Sequence, residues 1–97
     1  KSNINLNLNI VRLPKILQDY ILLHELCHLR HHDHGHAFHL LLEHVLTDNL
    51  MNLMGDAGLS EVDRTVVMDV ARKSAVSKAR YPLDYTITSF IKRYSIV

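Results

Sequence analysis

A mostly apolar segment with helical periodicity, which also contains two histidines and a glutamate, constrains this chain more than any other feature. Between residues 16 and 29, apolar side chains occupy almost every side of a predicted helix, and Pro14 suits its first turn. A helix that is apolar nearly all round is expected to be central and buried. Three of the polar residues that interrupt this segment are His24, Glu25 and His28. Because uncompensated polar groups in such a place cost several kcal/mol, we expect them to have a partner.

These three residues form the pattern H-E-x-x-H. On a helix, two histidines four residues apart lie on one face, so both imidazoles can bind one metal ion. Zinc accepts neutral imidazole nitrogens at about 2.0–2.1 Å, and a catalytic zinc site has three protein ligands and an open position for water. Zinc lowers the pKa of that water toward ~7. Glu25 lies next to His24 around the helix, so we predict that it accepts the proton of the water as general base.

The third zinc ligand has two candidates. His34 follows His28 by six residues, the interval between the second and third histidines of the longer pattern H-E-x-x-H-x-x-G-x-x-H. His31 occupies the glycine position of that pattern, and Gly35 comes only after His34. Glu43 is the alternative, since many zinc enzymes add a Glu from a following helix. Five other histidines have simpler explanations as exposed polar residues, cations at helix ends or donors to a ligand: His31, His32, His36, His39 and His44.

The remaining pattern predicts an α+β fold that is mostly helical. Residues 3–11, NINLNLNIV, alternate strictly between apolar and polar side chains, as in a half-buried edge strand packed beside the H-E-x-x-H helix. Two or three further helices should follow. We predict one from about Ala37 to Leu53 and one that starts at Ser60, with Asp63 completing a weak capping box, and continues to about Lys78. After Pro82 the spacing favours a helix over a strand.

Length and composition limit the class of protein. A chain of 97 residues can bury one modest core, so we expect a single domain or the C-terminal fragment of one, with a metal-site core at 1–46 and a helical extension of unassigned role at 47–97. A net charge of +1 argues against a general nucleic-acid or membrane-surface protein. Cys27, the single cysteine, fits the cytoplasm. No apolar stretch approaches the roughly 20 residues that cross a bilayer.

From residue 4 to residue 38, INLNLNIVRLPKILQDYILLHELCHLRHHDHGHAF resembles the core of the YgjP-like metal-dependent hydrolases, which are grouped with zinc metallopeptidases and related in plan to SprT-like proteases. The resemblance covers about residues 3–46. The shared elements are an Asn-containing strand, a Pro before a helix with a Tyr and H-E-L-x-H-L, and a His followed by a small residue and a Phe. In this chain they are Asn5, Asn7, Pro14, Tyr20, residues 24–29, His34, Gly35 and Phe38.

The resemblance implies a zincin-like fold with zinc at His24, His28 and His34 and with Glu25 as the base. Two departures matter. The family usually has Ser after the third His and Trp after the Phe, whereas this chain has Gly35 and His39. The family's Arg-Trp-Gly-Ser-Cys stretch and its neighbouring strands precede the region where this chain begins, so we expect a sheet that is incomplete at the N-terminal side.

The leading interpretation is a zinc-dependent metallopeptidase, whose zinc-bound water is activated by Glu25 and whose substrate is a peptide or protein. One alternative is a zinc hydrolase of another substrate, such as a nucleotide. The other is a non-catalytic module that binds protein or nucleic acid, for which the sequence offers only a basic C-terminal third. No membrane partner is expected, and no feature indicates an oligomeric state. Tyr81, Tyr85, Arg30 and the histidines near the metal are candidates for a second donor to the substrate carbonyl.

Overall fold

The computed structural model describes residues 13–33 and 35–94, which fold into four α-helices. The helices are α1 (Lys15–Arg30), α2 (His36–Met54), α3 (Glu61–Ala75) and α4 (Pro82–Tyr94). Three helices therefore follow the H-E-x-x-H helix, as the sequence predicted. No described helix is both long enough and apolar enough to cross a membrane.

Pro14 and Asp63 accept hydrogen bonds from the backbone N–H groups at the first turn of α1. Pro14 precedes the helix, and its carbonyl accepts hydrogen bonds from the N–H groups of Leu17 and Gln18. Pro14 was predicted to lie in the first turn of the helix, whereas it is the residue just before the helix, which begins at Lys15. The backbone N–H of Lys15 donates to Asp63 Oδ1 at 3.0 Å, so a carboxylate of α3 stabilises the positive end of α1.

Ser60 begins α3 as the sequence predicted. Its Oγ accepts a hydrogen bond from the N–H of Asp63 at 3.1 Å. The expected capping box is only half formed in the described contacts, because Asp63 directs Oδ1 to Lys15 of α1 rather than back to Ser60. The helix ends at Ala75, three residues before the predicted end.

The segment after Pro82 is helical, as predicted, despite its β-branched residues. Leu83, Ile87 and Phe90 lie on its buried side, at exposed fractions of 5%, 1% and 6%. Burial of this apolar side outweighs the strand preference of single residues, because packing decides most helix stability in proteins.

One core joins all four helices, and each helix contacts the other three. Phe38 of α2, at 1% exposed, is among the largest fully buried side chains. The described part of the helical extension, residues 47–94, thus packs on the same core as the H-E-x-x-H helix. The core side chains are Ile16, Leu17, Tyr20, Cys27, Phe38, Leu42, Leu46, Leu50, Leu53, Val66, Val67, Val70, Leu83, Ile87 and Phe90.

The prediction of an α+β fold is wrong. The described residues are helical or irregular and include no strand, so α1 packs on other helices rather than on a sheet. The physical reason is that α1 buries Ile16, Leu17, Tyr20 and Cys27 against α2, α3 and α4, and this burial satisfies its apolar side without a sheet. The predicted edge strand at 3–11 lies outside the described residues.

The expectation that α1 is buried all round is also wrong. Leu22, Leu26 and Leu29 are 42%, 55% and 67% exposed. Helices α2, α3 and α4 cover only the side of α1 that contains Ile16 and Tyr20. His24, Glu25 and His28 consequently lie at a half-buried position and not in a closed core.

Candidate metal centre

The two histidines of H-E-x-x-H lie side by side on α1. The ring centres of His24 and His28 are 4.8 Å apart, and the rings meet edge to face with an interplanar angle of 77°. Both side chains are half-buried. The single helical turn between them brings the rings together, as the four-residue spacing predicted.

The ring of Phe38 on α2 packs against both histidine rings. The centre of its ring is 5.3 Å from that of His24 and 4.7 Å from that of His28. Because Phe38 is 1% exposed and packed in the core, it limits the orientations of both imidazoles. The ring centre of Tyr20, one turn before His24, lies 5.7 Å from that of His24.

The distance between the ring centres of His24 and His28 is compatible with binding of one metal ion by both rings. Two imidazoles that bind one tetrahedral zinc at about 2.0–2.1 Å have ring centres roughly 5 Å apart. The observed 4.8 Å agrees with that value. Within residues 13–33 and 35–94, however, no group of three or more His, Cys, Asp or Glu side chains could hold a metal. His34 is not among the described residues, so its role as third ligand stays a prediction.

Glu25 follows His24 on α1 and is also half-buried. Successive residues of an α-helix are about 100° apart around the axis, so the carboxylate lies beside the histidine face rather than on it. This position suits a proton acceptor better than a ligand. Its role as general base stays a prediction.

Glu43, the alternative third ligand, makes two backbone contacts at the start of α4. Its Oε2 accepts a hydrogen bond from the N–H of Leu83 at 2.8 Å, and its Oε1 accepts one from the N–H of Asp84 at 3.2 Å. Both oxygens thus satisfy donors at a helix N-terminus, where a carboxylate is favoured. The contacts give Glu43 a structural role that the sequence did not reveal.

Asp84 in turn connects α4 with α1. The hydroxyl of Tyr20 donates to Asp84 Oδ1 at 2.6 Å. Burial is the main reason that the pKa of Tyr20 is raised above its ordinary value, and the hydrogen bond to Asp84 and the negative charges of Asp84 and Glu43 raise it further. The phenol therefore stays protonated and keeps donating. Tyr20 therefore contacts His24 with its ring and the N-terminal end of α4 with its hydroxyl.

Two of the remaining histidines contact the C-terminal region. His39 stacks on the ring of Tyr81 at 4.7 Å with an interplanar angle of 19°, and its Nδ1 lies 3.4 Å from Asp84 Oδ2. His36 Nδ1 is 2.9 Å from the hydroxyl of Tyr81. His44, by contrast, is exposed and lies 3.5 Å from Asp48, which agrees with a surface role.

An open cleft of about 510 Å³ lies beside His24. Tyr20, His24 and His39 line one side of it, and the loop before α4 and the first turns of α4 line the other with Arg80, Tyr81, Asp84, Tyr85 and Thr88. We call this space the His24 cleft. The sequence singled out Tyr81 and Tyr85 only as two of several candidate donors, and His39 was explained as a simple polar residue. Their spacing in the sequence does not indicate that Tyr81, Tyr85 and His39 line the same cleft.

A family model described as "YgjP-like, metallopeptidase domain" matches residues 1–50. The matched region includes H-E-x-x-H, His34, Phe38 and Glu43. Searches of curated proteins and of solved structures returned no match. The far wall of the His24 cleft, at residues 80–88, lies beyond the matched region. The match to half of the chain shows that it belongs to the YgjP-like metallopeptidase domain family.

Proposed function

We propose that this chain is a zinc-dependent peptidase in which His24 and His28 bind the metal, His34 completes the ligand set and Glu25 is the general base. The observation that supports this most directly is the pair of imidazoles, 4.8 Å apart, held against buried Phe38 at the edge of an open cleft. A structural pair of surface histidines would need neither the fixed ring support nor the adjoining cleft.

Bound zinc would polarise the substrate carbonyl and make water acidic enough to lose a proton near neutral pH. Glu25 accepts that proton from the attacking water and then returns it to the leaving amine. The half-buried position of Glu25 suits both steps, since the carboxylate remains accessible to water and substrate. Phe38 contributes by keeping His24 and His28 oriented.

His34 is favoured over Glu43 as the third ligand for a structural reason. Both carboxylate oxygens of Glu43 already accept backbone N–H groups of α4, and within residues 13–33 and 35–94 Glu43 does not form a group with His24 and His28 that could hold a metal. His34 lies between the end of α1 at Arg30 and the start of α2 at His36. The six-residue interval from His28 supports His34 in this role.

The peptide substrate is proposed to lie in the His24 cleft. Tyr81 and Arg80 line its far side. The guanidinium can donate to a peptide carbonyl, and so can the hydroxyl of Tyr81 when His36 Nδ1 is the donor in the hydrogen bond between them. Because α3 and α4 pack on the same core as α1, residues 47–94 form part of the proposed enzyme domain rather than a separate unit.

The test is a peptidase screen on zinc-loaded protein, with Glu25→Gln as the inactive variant. Glu61→Gln provides a matched control, since it makes the same chemical change at an exposed position on α3. We expect cleavage by the wild type and the control and none by Glu25→Gln. Equal cleavage by all three proteins would show that Glu25 is not the base. Failure of the wild type to bind zinc would contradict the proposed metal site itself.

A further inference from the structure

A second cavity, of about 490 Å³, lies where the end of α3 and the following loop face α4. Three basic side chains line it, Lys73, Lys78 and Arg93, together with the rings of Tyr85 and Phe90. None of the described residues that line it is acidic. We call this cavity the basic groove.

Phe90 brings two of these cations together at the basic groove. Lys73 Nζ lies 5.1 Å and Arg93 Cζ lies 5.5 Å from the centre of its ring. The ring is buried, at 6% exposed, so each cation is held by its attraction to the π face. Two like charges kept near one ring repel each other, and an anion bound between them would remove this repulsion.

The three cations are not neutralised by neighbouring carboxylates. Within the described part of the chain, none of Lys73, Lys78 and Arg93 forms an ion pair. Arg72, which precedes Lys73, does so with Asp69 at 2.6 Å. The positive charge of the basic groove is therefore available to a ligand, whereas the charge of Arg72 is already paired with Asp69.

Hydroxyl groups and an exposed ring complete the lining. Ser77 Oγ accepts the N–H of Ala79 at 3.1 Å, which leaves its own proton for an acceptor in the groove. Tyr85 is 62% exposed and offers a ring face at the rim. Several cations, a hydroxyl donor and an accessible aromatic ring together match a phosphate group attached to a planar molecule.

We propose that the basic groove binds a small phosphate-bearing ligand of mononucleotide size. Lys73, Lys78 and Arg93 bind the phosphate oxygens, and the base packs on Tyr85. A small ligand is favoured over a long polyanion because the whole chain has a net charge of only +1 and the unpaired positive charge converges on one cavity. The proposal does not rest on zinc binding or on peptidase activity, although Tyr85 lines both the basic groove and the His24 cleft.

The experiment is a titration of the full chain with adenosine monophosphate and with inorganic phosphate, followed by NMR chemical shifts at low salt and at ~150 mM salt. We expect saturable binding at one site, with shifts confined to residues around the basic groove. Lys78→Gln and Arg93→Gln should each weaken binding about tenfold, since each removes a charged hydrogen-bond donor. Inorganic phosphate should compete for the same site.

Lys92→Gln and Arg72→Gln are the matched controls, because they remove the same charge from exposed neighbours that do not line the groove. They should bind adenosine monophosphate like the wild type. Lys78 does not contact Phe90 in the described cation–π pairs, so Lys78→Gln tests binding even if Arg93→Gln lowers stability.

Three results would overturn the proposal. The first is an absence of shifts around the groove on addition of adenosine monophosphate. The second is an equal loss of affinity in groove and control variants, which would indicate general charge attraction. The third is binding only to single-stranded oligonucleotides, with affinity that rises with their length, which would assign the surface to a polyanion instead.

Discussion

Glu43→Ala removes the carboxylate that caps α4 and separates a structural role of this residue from a metal-binding one. In the structure, Oε2 and Oε1 accept the N–H groups of Leu83 and Asp84 at 2.8 and 3.2 Å. The substitution leaves both donors without their acceptor at the N-terminal end of a helix. It also removes a negative charge from the positive end of the helix dipole.

The expected cost follows from these two contacts. A lost helix cap costs about 0.5–2 kcal/mol, and a hydrogen bond to a charged group contributes about 1.5–3 kcal/mol. Two partly exposed bonds that share one carboxylate therefore suggest a loss of about 2–4 kcal/mol. Domains of this length are stable by about 5–15 kcal/mol, and a loss of this size lowers Tm by roughly 8–32 °C. Glu43→Gln keeps one acceptor oxygen and should lose about half as much.

The assay is thermal and urea unfolding of wild type, Glu43→Ala and Glu43→Gln, each measured with zinc and with a chelator. Asp48→Ala is the control, since it removes a carboxylate from the same helix at an exposed position. In the described part of the chain, Asp48 forms an ion pair only with exposed His44. We expect the control to change stability by less than about 0.5 kcal/mol. The loss in Glu43→Ala should be the same with and without zinc.

Two results would refute this reasoning. If Glu43→Ala unfolds like the control, the two hydrogen bonds contribute nothing measurable to stability. If the variant stays folded but loses zinc, whereas His34→Ala keeps it, Glu43 is the third ligand and the role proposed for His34 is wrong.

Further predictions concern the metal site and the buried phenol. The folded chain should bind one zinc, and a chelator should lower its Tm, because binding free energy adds to folding free energy; metal analysis that finds no zinc after zinc addition contradicts this. Glu25→Gln should abolish hydrolysis and keep zinc and fold, as activity, metal analysis and circular dichroism together would show. His34→Ala should weaken zinc binding far more than His32→Ala, since loss of a ligand exceeds the ~10–100-fold effect of a supporting donor; competition with a chromogenic chelator measures both, and equal effects exclude His34. The free energy of unfolding should fall as pH rises above about 10, because the raised pKa of Tyr20 makes the unfolded state lose that proton first; urea titrations of Tyr20→Phe should show a smaller fall, and an unchanged slope would contradict this.

Local rules predicted the helices well because each helix start and its apolar side depend on neighbours in sequence. Ser60 was identified as a cap from the residue three positions later, and the structure confirms the hydrogen bond from Asp63. The pairing of His24 and His28 follows from helical spacing and is likewise observed. Family membership was also recognised from the order of motif residues and is confirmed over residues 1–50.

What the sequence determined by itself was local: the H-E-x-x-H helix, the adjacency of its histidines, and the three helices that follow. Only the tertiary structure decided which residues from distant segments meet. Glu43 and Leu83 are 40 positions apart, and Tyr20 and Asp84 are 64 apart, so no periodicity relates them. The same holds for the open side of α1, since helical periodicity shows which residues are apolar, whereas the packing of the other helices determines which of them are covered.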